Sequence, residues 1–103
     1  MLAVTVEQIP GKKLEVLGVV KGSTIQSAHA GKDIMNGLKT LVGGELTSYN
    51  EMMENARRIA EERMEKEAER MGADAIVGLR YSFASVVQGA AEFMAYGTAV
   101  KFV

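Results

Sequence analysis

The chain has 103 residues, a formal net charge of −1 from 12 basic and 13 acidic side chains, and neither Cys nor Trp. That length suits one domain, and the lack of cysteine excludes disulfides, thiolate metal sites and cysteine nucleophiles. Balanced charge steers it neither to nucleic acid nor to an anionic membrane; no apolar run reaches the roughly 18 residues of a span, no signal-peptide pattern opens the chain, and a cytoplasmic location is expected.

Leu2, Val4 and Val6 alternate with Ala3, Thr5 and Glu7, the period-2 signature of a first strand. Ile9-Pro10-Gly11-Lys12 breaks it, with Pro and then Gly at the central positions of a type II turn. Lys13 to Lys21 reads as the second strand, and so short a turn predicts an antiparallel hairpin with the first. Gly18 within it marks a bulge or a close backbone approach. Gly22 to Lys32 is a loop by composition and carries the single histidine, His29. Asp33 is placed to cap a short helix in which Ile34, Met35, Leu38, Leu41 and Val42 recur at helical spacing, and Gly43-Gly44 ends it.

Thr47 to Gly72 is the dominant element. Ser48 with Glu51 makes a capping box, Gly72 is suited to the left-handed residue that closes a helix, and neither Pro nor Gly interrupts the span. Tyr49, Met52, Met53, Ala56, Ile59, Ala60, Met64 and Met71 fall on one face, with most of the charge opposite. Glu54–Arg58 and Glu62–Lys66 are spaced as favourable i,i+4 pairs. Arg63 and Glu67 project into the apolar arc, where pairing makes them tolerable and points to a polar interface.

After the helix, Asp74 to Ser85 alternates as a half-exposed strand, Gln88-Gly89 suits a turn, and Glu92 to Val103 is a strand apolar on nearly both faces. Such a strand belongs in a sheet centre or a subunit interface. The order ββ-α-α-ββ predicts a two-layer α+β fold, an antiparallel sheet packed on one long helix. A helix this long over a small core of modest side chains favours self-association.

The chemistry-bearing motifs are sparse. Gly31-Lys32-Asp33 lacks the hydroxyl residue a phosphate-binding loop needs after its Lys, and Glu45 beside Gly43-Gly44 would repel an anion. His29 has Ser23, Thr24 and Ser27 only as loop neighbours, with no nucleophile-elbow sequence. Met53, Met64 and Met71 share a ridge, but the last two stand roughly 10 Å apart, so packing explains them better than an ion. His29, Asp33 and Glu92 are the candidate metal ligands, too few in one chain unless symmetry multiplies them around an axis.

Several segments in order, GVVKG (Gly18–Gly22), Asp33, GGELTSY (Gly43–Tyr49), Arg57 with Ala60, GADAIVGLRY (Gly72–Tyr81) and AYGTAV (Ala95–Val100), resemble the YbjQ family of small bacterial and archaeal proteins. The resemblance implies a dodecin-subunit-like α+β fold, a homopentamer, a heavy-metal-binding label and no established activity. Without cysteine, that label rests here on imidazole and carboxylate, which would favour zinc, copper or nickel. The expected protein is a non-enzymatic oligomer that binds metal. A small-ligand carrier with sites between subunits and a purely structural ring are the alternatives.

Overall fold

The computed structural model describes residues 1–27, 47–87 and 90–103. Four strands, β1 (Leu2–Ala3), β2 (Leu14–Ser27), β3 (Ala75–Val87) and β4 (Ala90–Phe102), form one sheet in the order β1-β3-β4-β2. One described helix, α1 (Thr47–Arg70), packs on it. The α+β class and the two layers are as expected. The short helix expected after Asp33 lies outside the described residues.

The first hairpin is a correction, and with it the all-antiparallel sheet. The turn itself forms: Lys12 N–H donates to the Ile9 carbonyl at 3.1 Å and Gly11 takes φ 78°. But β1 pairs parallel with β3, while β2 pairs antiparallel with β4 at the far edge, so the sheet is mixed. The segment after β1 continues along β3, where Val4 exchanges bonds with Ile76 and Leu79, and Gly78 donates to the Val6 carbonyl. Val4 and Ile9 pack there on Ala75, Val77 and Val100, and Leu14 and Phe102 join the same cluster. Burial of that apolar cluster, on which a turn has no bearing, selects the partner.

Strand β2 runs six residues past Lys21, through the stretch expected to be a loop. Its polar composition hides an alternation in which Val20, Gly22 and Thr24 are buried towards the helix. The bulge expected at Gly18 is present, between Val16 and Gly18. Helix α1 includes Thr47 and Ser48, so it begins ahead of the predicted cap. Its other end is as expected: Gly72 has φ 77°, with Ala73 N–H bonded to the Ala68 carbonyl and Gly72 N–H to Glu69, a Schellman closure.

The core lies between the helix and one face of the sheet. Ala60, Met64 and Ala68, each four residues apart, meet Val20, Ile76, Ala95 and Ala99. These small side chains bring helix and sheet close together. A Cβ at Gly22 would collide with the Ala60 carbonyl, and one at Gly97 would come within 2.7 Å of Ile76 Cγ2. The helix sits mainly over β2 and β4 and barely touches β3. The body is elongated, with a radius of gyration of 16.7 Å against about 13 Å for a compact domain of this length.

Candidate functional site

Of the three candidate metal ligands, His29 and Asp33 lie outside the described residues. Glu92 is half-buried on β4, on the sheet face turned away from α1, where its register partners are Ile25 on β2 and Ala84 on β3. Neither neighbour can share an ion. Among the described residues no three His, Asp or Glu are grouped to hold a metal. Met64 is wholly buried in the core, as the packing reading of the methionine ridge requires. Thr24, a loop neighbour of His29 in the sequence, is buried towards α1 and accepts a 3.0 Å bond from Gln26 Nε2.

The polar pairs on the helix differ from those that spacing suggested. Glu54 pairs with Arg57 at 2.7 Å in place of Arg58, and Glu62 pairs with Arg58 at 3.1 Å in place of Lys66. Arg63 does not close on Glu67; its Nη1 donates to the Ser23 carbonyl of β2 at 2.6 Å. The strand edge decides the choice of Arg63, because an exposed i,i+4 pair contributes only about 0.3 kcal/mol.

One ordered polar cluster joins the two layers. Tyr81 on β3 donates from its hydroxyl to Glu61 at 2.5 Å, and Arg57 stands 3.8 Å from the same carboxylate. The Tyr81 ring lies 5.7 Å from Phe93 at 50°. Burial, and then the bond to Glu61 and its negative charge, push the phenol up to about 12, against an opposing pull from Arg57. Tyr81 is therefore a held proton donor at neutral pH, unsuited to act as a base. The sequence placed Tyr81 only within a half-exposed strand, and a partner twenty residues away carries no local signal.

Two of the grooves among the described residues border the sheet. One, of about 560 Å³, lies under the Pro10–Gly11 turn, with Leu14, Val16, Val77 and Val100 as floor and Lys12, Lys13 and Glu7 at the rim. The other, of about 330 Å³, runs between α1 and β2 and is lined by Lys21, Ser23, Arg63, Lys66, Glu67 and Arg70, with Gly22.

Fold and surface together define a small two-layer α+β domain with open grooves and no assembled metal cluster among its described residues. The model of the YbjQ family, described as "Putative heavy-metal-binding", matches residues 1–103, and the chain belongs to that family. It is 60% identical to a UPF0145 protein of Alkaliphilus metalliredigens over 103 residues, all of both chains. It is 58% identical to one from Thermus thermophilus, covering 98% of this chain and 90% of that one. A crystal structure of a protein of unknown function from Pediococcus pentosaceus shares the fold, with a TM-score of 0.71 at 20% identity, covering 100% of this chain and 98% of the other.

Proposed function

We propose that the protein works as a self-assembled, non-enzymatic module of the cytoplasm whose metal site is completed between copies. The observation that supports this most is the sheet face turned away from α1, which leaves Val16, Val19 and Ile25 between 62% and 72% exposed. Val87, 66% exposed, extends the apolar surface along β3. A monomer with so small a core and so much apolar surface gains stability by covering that face with another copy. A homopentamer of dodecin-like subunits is the assembly that agrees with the family resemblance.

Within one chain Glu92 has no described ligand beside it, so a metal needs ligands brought together by symmetry or by His29 and Asp33 from the rest of the chain. Imidazole makes zinc, copper or nickel the expected ion. Native mass spectrometry of the zinc-loaded protein, beside His29→Ala, is the test. Retention of one ion per ring fits an axial site and one per subunit fits an interfacial site, with loss in His29→Ala in either case. Equal retention by both proteins removes His29 from the site, and no retention by either ends the metal reading.

A second reading, a small-ligand carrier, is favoured by the groove under the Pro10–Gly11 turn, whose apolar floor and charged rim suit an amphipathic molecule. Visible absorbance that co-purifies with the protein would support it.

A further inference from the structure

We propose that the groove between α1 and the outer edge of β2 binds an extended phosphate anion, of the class of pyrophosphate, tripolyphosphate or a small organic polyphosphate. The groove presents four cationic side chains, Lys21, Arg63, Lys66 and Arg70, against the single carboxylate of Glu67. Such a concentration of positive charge is notable in a chain of net charge −1. It does not arise from surface pairing. Among the described residues the ion pairs of α1 are Arg57 with Glu54 and Glu61, and Arg58 with Glu62, so no carboxylate of the helix is bonded to Lys66 or Arg70.

Two features make this a shaped site. The absence of a side chain at Gly22 lets α1 settle against β2, because a Cβ there would collide with the Ala60 carbonyl and the Met64 amide. The helix thereby carries Arg63 to the strand edge, where its bond to the Ser23 carbonyl fixes the guanidinium in place. In an antiparallel strand the N–H and C=O of one residue point to the same side. The Ser23 carbonyl is turned outward to Arg63, so the Ser23 N–H faces the groove as well. With the Ser23 acceptor occupied by a cation, the Ser23 N–H is the donor that this residue offers the groove.

The length of the ligand follows from the helix. Arg63, Lys66 and Arg70 are spaced i, i+3 and i+7, which spreads their stems over roughly 10 Å of helix. One phosphate is too short to engage both ends, whereas two or three linked phosphoryl groups match the span. Guanidinium forks and ammonium groups are the side chains that phosphoryl oxygens accept from most strongly. A nucleic acid fits less well, as no aromatic side chain lines the groove to stack a base.

The test is calorimetric titration of the assembled protein with sodium tripolyphosphate in low-salt buffer. Saturable binding is expected, weakened at least tenfold in Lys66→Gln/Arg70→Gln and tightened about two- to threefold in Glu67→Gln, since removing one carboxylate relieves local repulsion. Both variants alter groove side chains of α1 and leave its core ridge untouched. Lys12→Gln/Lys13→Gln, in the other groove, should bind as the parent does. An equal loss in that variant, the absence of saturable binding by the parent, or orthophosphate binding as tightly as tripolyphosphate would each overturn the proposal. So would sedimentation with phosphatidylglycerol vesicles in the absence of any tripolyphosphate heat, which would assign the cations to a lipid surface.

Discussion

Gly22 of β2 lies against the Ala60 carbonyl of α1 so closely that a single added methyl has no room. The contact sets the spacing of the two layers, because the helix backbone itself is the obstacle and cannot swing aside as a side chain can. Ala56, Ala60, Met64 and Ala68 are buried along the same ridge, and the four-residue spacing turns them all to the sheet.

Gly22→Ala should therefore destabilise the protein by about 2–3 kcal/mol, the cost of overpacking a closed interface. The midpoint of denaturant unfolding measures it. An unchanged midpoint would mean that the layers stand further apart than the structure places them.

Gly72 makes a contrasting prediction. Its φ of 77° demands a left-handed residue, yet a Cβ there meets nothing within 4 Å. The penalty in Gly72→Val is one of backbone conformation alone, about 1–2 kcal/mol. Gly72→Asn should lose less, since Asn tolerates that region. Thermal melts in which the two variants coincide would contradict the Schellman closure.

Tyr81 links stability to alkaline pH. Its phenol holds its proton up to about pH 12 in the folded protein, against 10 in the unfolded chain. The raised value means that the neutral form is favoured by the fold, so the stabilisation is complete below pH 10 and is lost as the pH climbs from 10 to 12. Tyr81→Phe should be less stable than the parent at pH 7, and the gap should narrow across that window. Unfolding midpoints measured at several alkaline pH values check this, and a gap independent of pH would remove the Glu61 bond as its cause.

The uncovered sheet face predicts the behaviour in solution. Light scattering behind size exclusion should give a mass several times 11.1 kDa at low micromolar protein. Val19→Lys, which places a charge on a residue 72% exposed in the single chain, should shift the mass towards smaller species without unfolding the domain. A monomeric parent that still unfolds cooperatively would refute self-assembly.

The elements that local sequence determined are those whose signal is local. Helix α1 was legible because its apolar side chains recur with the helical period and a glycine follows where the left-handed residue is needed. The Pro10–Gly11 turn and the Gly18 bulge were legible for the same reason, since each is a backbone requirement met by the residue itself. The tertiary structure decided what depends on residues distant in the chain. Whether β1 lies beside β2 or β3 turns on burying Val4 and Ile9 against Val77 and Val100, which no turn sequence encodes. The extension of β2 through Ser23 to Ser27 depends on a partner strand nearly seventy residues away and on a helix that requires Gly22 bare. The Tyr81–Glu61 and Arg63–Ser23 bonds likewise exist only once the layers are stacked. Helical spacing had offered Arg63 a local partner in Glu67, and the strand edge supplied a better one, because a carbonyl left without a strand beside it gains more from a guanidinium than an exposed i,i+4 ion pair does.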